Sequence, residues 1–128
     1  MKRIIIDTNA WMAITEFRLD IFAALERDCD FSYQIIVLPE IIAELEKIVS
    51  EQRAKFRQAA LLAMGIMKVK KIAVVSDKGE SKPDTVDDLL VQHSKKGDLV
   101  LTQDAALKKR LKKPYLTIRQ KKTILLVK

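Results

Sequence analysis

The sequence predicts an α/β fold, a three-layer αβα sandwich around a central, mostly parallel sheet. Three observations predict it. Apolar runs such as Ile4-Ile5-Ile6 and Ile35-Ile36-Val37-Leu38 lack the polar alternation of a half-exposed strand, as strands buried on both faces do. Segments with helical spacing of apolar residues separate these runs, and strand–helix alternation builds βαβ units. Polar turn or capping residues close the runs, as in Asp7-Thr8-Asn9. Right-handed crossovers then bring every loop that follows a parallel strand to one edge of the sheet, the edge at which open α/β folds bind ligands. An acid placed directly after a strand is therefore a candidate functional group.

The elements follow in order. After the first strand, residues 10 to 27 are helical with a break near 17 to 20. The next strand covers 34 to 38. Pro39 suits the first turn of a helix that carries Ile41, Ile42, Leu45, Ile48 and Val49 at helical spacing. A second long helix spans 51 to 67, with Ala, Leu and Met on one side and Arg53, Lys55 and Arg57 on the other. A strand at 72 to 75, a polar loop at 76 to 83 and a helix at 85 to 94 come next, Gly97 being placed to end that helix. A strand at 99 to 102, a helix at 105 to 111 and a last strand at 122 to 127 complete the chain. No linker-like stretch interrupts it, so one domain over 1–128 is expected.

Composition narrows the function. The 128 residues carry a net charge of +7, and such a basic surface attracts polyanions, nucleic acid first among them. A lysine-rich solubilising surface is the plainer explanation. Hydrophobic residues at 48% can fill a core, and three Gly with three Pro argue against disorder. Cys29 is the single cysteine, which excludes an intrachain disulfide and a thiolate metal cluster and suits a reducing compartment. The longest uncharged apolar stretch, 59 to 67, is far below the ~20 residues that cross a bilayer, and the three isoleucines after Lys2-Arg3 are too few for a signal core. The expectation is a cytoplasmic protein without a membrane partner.

Four places set a carboxylate near the carboxyl edge: Asp7 after the first strand, Glu44 on the Pro39 helix, Asp84, Asp87 and Asp88 around the start of the 85–94 helix, and Asp104 after the strand ending at Thr102. On that helix Val86, Leu89, Leu90 and His93 form the buried face; Asp87 lies at its border and Asp88 nearly opposite, which favours Asp87. Glu44 and Glu46 flank the apolar face of their helix almost symmetrically, so geometry leaves both open. Local explanations compete. Asp84 suits an N-cap, Asp87 and Asp88 complement the helix macrodipole, and Asp7 and Asp104 can form turns. Gathered together, however, carboxylates ~4 Å apart repel by about 4 kcal/mol at an effective dielectric near 20. Protons or cations must relieve this, and an all-oxygen donor set suits Mg²⁺ or Mn²⁺.

These residues resemble a PIN domain, the nuclease fold of VapC-type toxins and rRNA-processing endonucleases, itself Rossmann-like. The pieces are Ile4-Ile5-Ile6-Asp7-Thr8-Asn9, Leu38-Pro39-Glu40-Ile41-Ile42-Ala43-Glu44-Leu45, Asp87-Asp88-Leu89-Leu90 and Leu99-Val100-Leu101-Thr102-Gln103-Asp104. Each is weak alone, and their order is what carries the resemblance, which covers nearly the whole chain. It selects Glu44 over Glu46. Ala43-Glu44-Leu45-Glu46-Lys47, and Leu107-Lys108-Lys109-Arg110 after Asp104, look closer to the rRNA-processing branch than to a toxin. Ala106 departs from the pattern, since relatives often carry an acid there.

The resemblance implies a metal-dependent endoribonuclease. Asp7, Glu44, Asp87 and Asp104 would hold one or two Mg²⁺ or Mn²⁺ ions, with Asp88 or Asp84 as an outer ligand. Thr8, Asn9 and Thr102 are candidates to hold the carboxylates by hydrogen bonds. Lys108, Lys109, Arg110, Lys112 and Lys113, with Arg119, Lys121 and Lys122, would hold the RNA backbone, although a solvated helix face explains them equally simply. An antitoxin or a ribosome-assembly protein is an expected partner, and a homodimer a further expectation. Trp11, Tyr33 and Tyr115 are not grouped as a stacking platform, and His93, Met64 and Met67 read as core. A catalytically silent RNA-binding module is a rival reading, consistent with Ala106. An aspartyl phosphatase needs Asp-x-Asp after strand one, and a phosphoacceptor receiver needs an acid after a middle strand; Asp7-Thr8-Asn9 and Val37-Leu38-Pro39 provide neither.

Overall fold

The computed structural model describes residues 1–76 and 83–128, so most of the polar loop expected at 76 to 83 lies outside the described residues. The chain runs β1 (Lys2–Ile6), α1 (Thr8–Glu16), α2 (Ile21–Asp28), β2 (Tyr33–Val37), α3 (Pro39–Glu51), α4 (Ala54–Val69), β3 (Ala73–Val74), α5 (Val86–Lys95), β4 (Leu99–Leu101), α6 (Ala105–Arg110), β5 (Tyr115–Arg119) and β6 (Thr123–Val127). One six-stranded sheet has the order β3-β2-β1-β4-β5-β6. Its first five strands are parallel and β6 pairs antiparallel with β5.

The unbroken isoleucine run has a direct cause. β1 is hydrogen-bonded to β2 on one side and β4 on the other, and Ile4, Ile5 and Ile6 are each fully buried. Full burial of such a side chain contributes about 1.5–3 kcal/mol, so a polar residue at any of the three would be selected against by packing alone. Ile36, Val37, Leu99, Val100 and Leu101 continue this layer across the neighbouring strands. From β1 the chain moves outward one way, to β2 and β3, and then returns to build β4 and β5 on the other side. Right-handed crossovers therefore place α1 to α4 on one face and α5 and α6 on the other, the three layers expected. The reversal lies between β1 and β4, and the loops after these two strands diverge to leave a crevice.

Three local features depart from the sequence reading. The strand expected at 122 to 127 is the second arm of a hairpin whose first arm, β5, went unpredicted. The turn has positive φ at both Gln120 (55°) and Lys121 (62°), closed by Lys122 N–H donating to the Arg119 carbonyl at 3.3 Å. Turns of that kind are signalled by Asn-Gly or Asp-Gly, and Gln-Lys hides it. The second long helix expected from 51 starts later: α3 runs on through Glu51, and α4 begins at Ala54, which has φ 43°. Thr85, not Asp84, caps α5, its hydroxyl accepting from Asp88 N–H at 3.1 Å.

The amino ends of the same central strands carry a different polar cluster. Asp98, just before β4, accepts from Arg3 Nε at 3.1 Å and from a terminal Arg3 nitrogen at 2.8 Å, and stands 2.9 Å from His93 Nδ1. His93 is buried on the apolar face of α5, as its spacing suggested.

Candidate active site

At the carboxyl edge, Asp7 ends β1 and caps α1, accepting from Thr8 N–H at 2.8 Å. Its second oxygen accepts from the Thr102 hydroxyl at 2.9 Å, directly after β4. The same Thr102 oxygen accepts from Asp104 N–H at 3.1 Å. One hydroxyl thus fixes the spacing between the two loops at the reversal point. A hydroxyl has a single proton, and the shorter contact, to Asp7, takes it rather than the 3.4 Å approach to Asn9 Oδ1. Asp104 caps α6, its Oδ1 accepting from Ala106 and Leu107 N–H at 2.8 and 3.2 Å. Across the crevice, the Thr8 hydroxyl donates to Glu44 Oε1 at 2.5 Å, tying the start of α1 to α3.

These groups line one cleft of about 460 Å³, into which Asp7, Glu44, Asp87 and Asp104 converge from four separate segments of chain. Thr8, Asn9, Met12, Ile48, Gln52 and Phe56 complete its walls. Glu46 lines a different groove, so the fold separates the two glutamates that helical spacing left equivalent. Among the described residues no lysine or arginine forms an ion pair with any of the four converging acids. Asp7 is 6% exposed, and burial pushes its carboxyl up to about 6. Hydrogen bonds from Thr102 and Thr8 oppose the rise, and the charges of Asp87 and Glu44 add to it.

Other expected members are placed elsewhere. Asp88 does not line the cleft; its carboxylate accepts from Arg110 at 2.5 Å across α5 and α6. That contact holds it away from an outer-ligand position, as its place opposite the helix's apolar face foreshadowed. Asp84 is exposed beside the start of α5 and also lies outside the cleft lining. Asn9 reaches no carboxylate; its Oδ1 accepts from Gln103 N–H at 3.3 Å. Lys108, Lys109 and Arg110 occupy the last turn of α6 and do not line the cleft, while Lys112 and Lys113 lie in the connection to the start of β5, at the amino edge of the sheet, where Lys112 N–H donates to the Ser94 hydroxyl at 2.8 Å. The sequence reading did not include the apolar wall, although Ile48 follows Glu44 by four residues and so shares its helix face. Phe56 carried no signal, because its position depends on the α3–α4 turn.

Whether these residues suit a divalent cation is a matter of donor chemistry and distance. The donors are oxygens only, and Asp7 sits among like charges that a cation would neutralise. Among the described residues, no three Asp, Glu, His or Cys side chains stand close enough together to hold a metal ion as they are. Side-chain rotation toward Asp7 is therefore part of any ligation, and the exposed Asp87 has the most freedom for it.

Such a cleft of acids, at the point where strand order reverses in a parallel α/β sheet, defines a protein built to gather carboxylates around a polar reaction centre. The chain belongs to the PIN domain family of nucleases, the model described as a PIN like domain matching residues 4–121. It is 24% identical over 127 residues to Ribonuclease VapC4 of Methanocaldococcus jannaschii, covering 95% of this chain and 94% of that one. The structure of the PIN domain endonuclease Utp24 superposes with a TM-score of 0.75 at 25% identity, over 97% of this chain and 90% of the other. A domain of a functionally unknown protein from M. jannaschii shares the fold, with a TM-score of 0.59 at 16% identity over the full length of both.

Proposed function

We propose that this chain is a divalent-metal-dependent endoribonuclease that hydrolyses RNA phosphodiester bonds in the cytoplasm, with a precursor of ribosomal RNA as its target and ribosome-assembly proteins as its partners. The observation that carries the reading is the convergence of Asp7, Glu44, Asp87 and Asp104 on one cleft in which, among the described residues, no cationic side chain pairs with them. Mg²⁺ or Mn²⁺ held by these four would supply the charge that activates water and stabilises the leaving oxygen. The chain's own part is positional. Thr102 and the Thr8 N–H fix both oxygens of Asp7, the Thr8 hydroxyl orients Glu44, and the caps on α6 hold Asp104 by one oxygen. Fixed rotamers lower the reorganisation needed when the phosphate arrives. Lys108, Lys109 and Arg110, on the helix that Asp104 caps, would meet flanking phosphates without reading sequence, whereas Lys112 and Lys113 lead to the opposite edge of the sheet. The ribosomal target rests on the likeness of residues 43–47 and 107–110 to the rRNA-processing branch.

A second reading, a toxin ribonuclease neutralised by an antitoxin, is favoured by the full-length similarity to Ribonuclease VapC4. Cleavage of a structured RNA in Mn²⁺, beside Asp7→Asn and Asp104→Asn, tests the site common to both. Cleavage unaffected by either substitution rejects it. Growth arrest on expression, relieved by a co-expressed neighbouring gene product, would select the toxin.

A further inference from the structure

Phe56 is 51% exposed at the lip of the carboxylate cleft. An isolated exposed apolar residue calls for no explanation, but the position of this ring does. Phe56 and Met12 line both the carboxylate cleft and an adjoining groove of about 380 Å³, so the ring stands on the divide between the two. The lining changes character across that divide: four acids on one side, Arg18 and Lys55 on the other, with Glu16 as the groove's one acid. Lys55 Nζ lies over the Phe56 ring, 5.6 Å from its centre, a cation–π contact that covers one face of an exposed ring. Its ion pair with Glu16 is 3.9 Å long between two exposed side chains, a contact of little strength that phosphate can displace.

The backbone around the ring is fixed. α3 and α4 are separated only by Gln52 and Arg53, Ala54 turns the chain at φ 43°, and Phe56 N–H donates to the Arg53 carbonyl at 3.1 Å. The Arg57 guanidinium reaches back to the Val49 carbonyl at 3.2 Å and ties the two helices together. An aromatic face held at a rigid corner, with acids behind and cations ahead, matches what unpaired nucleotides offer: a π surface on the base and a negative charge on each phosphate.

We infer that a single-stranded segment of RNA leaves the carboxylate cleft over this corner, the base beside the reacting phosphate stacking on Phe56 and the next phosphates meeting Lys55 and Arg18. This rests on the endoribonuclease reading above and adds a residue that positions the strand and a direction of exit. It also adds the stacking surface that the scattered Trp11, Tyr33 and Tyr115 do not provide.

The test is binding, measured in EDTA so that the RNA stays intact whether or not the chain cleaves it. Phe56→Ala should weaken binding of a single-stranded oligouridylate of about eight nucleotides roughly tenfold, while changing duplex binding by less than about twofold. Phe56→Trp should keep the affinity, and the oligonucleotide should quench its added fluorescence, since the existing Trp11 is fully buried. Arg18→Ala with Lys55→Ala should lower the slope of log affinity against log salt by about one to two. Equal affinity of Phe56→Ala and the parent for the single strand overturns the inference. So does an equal loss on duplex, an unquenched Phe56→Trp, or a loss that follows the dissociation of a dimer in sedimentation, which would make the ring a subunit contact. Should the parent fail to cleave RNA in Mn²⁺ while the binding results hold, the nuclease reading falls and the stacking corner stands.

Discussion

The two ends of β4 each carry an aspartate, and the fold treats them in opposite ways. Asp98, before the strand, is largely buried; burial raises its pKa, but the Arg3 and His93 hydrogen bonds and charges outweigh this and hold the carboxyl below its ordinary range. Asp104, after the strand, shares a cleft with Asp7, Glu44 and Asp87, where the described side chains bring no cation and Asp7 is pushed up to about 6. An acid whose charge is already neutralised holds structure together. Acids left without a counter-charge, one of them also buried, are stabilised by a proton or by something brought from outside. The contrast separates a structural carboxylate from a functional one without reference to any relative.

The sharpest way to break the contrast is to remove one acid from each end. Asp7→Asn and Asp104→Asn should each slow RNA cleavage in Mn²⁺ by on the order of 10²–10³-fold, the size expected when several kcal/mol of charge stabilisation is lost. Asp98→Asn, assayed where it remains folded, should stay within about threefold of the parent. Comparable losses at both ends would show that the comparison does not distinguish function from structure.

Next in size is the effect on stability. The Asp7 carboxyl ordinarily titrates near 3.8 and in the fold near 6, so between these values the folded chain binds more protons than the unfolded one. This contribution to stability is complete below pH 3.8, falls as pH rises to about 6, and leaves a penalty of about 3 kcal/mol at neutral pH. Asp7→Asn should therefore stabilise the metal-free protein at pH 7 by up to about that amount and change it little near pH 4, as read from denaturant midpoints. Mg²⁺ should raise the melting temperature of the parent more than that of the variant. Asp98 has the reverse sign: its pKa is lowered, so its stabilisation is present above the ordinary carboxylate range and is lost as pH falls through its folded value. Asp98→Asn should destabilise by about 1–3 kcal/mol at pH 7, with the gap closing in acid.

Much of this arrangement was legible in the sequence because it depends on periodicity and chain order. The isoleucine run of β1 and the run at 99–102 marked two strands, and parallel topology brings Asp7 and Asp104 to one edge whatever the loops contain. Helical spacing left Glu44 and Glu46 equivalent, because both flank one apolar face; only the family resemblance selected Glu44, the one that lines the cleft. The Asp98 cluster was hidden because Arg3 is far from His93 and Asp98 in sequence and meets them only once β1 and β4 pair. β5 and Phe56 were missed where turn geometry comes from residues with no turn signature, Gln120-Lys121 in one case and Ala54 in the other.

The smallest expected effect sharpens the boundary of the acidic site. Asp88 is the immediate neighbour of Asp87, yet its carboxylate accepts from Arg110, which lowers its pKa, and both side chains are well exposed, at 38% and 47%. Exposed pairs contribute about 0–1 kcal/mol, so Asp88→Asn should shift stability by no more than that and leave cleavage within about threefold of the parent. Asp87→Asn, one position away and facing the cleft, should lose activity as Asp7→Asn does. A rotation of roughly 100° along one helical turn would then separate a charge that matters to chemistry from one that does not. If Asp88→Asn instead loses Mn²⁺-dependent cleavage, Arg110 must release it on metal binding, and the acidic site extends one residue further along α5 than the cleft now shows.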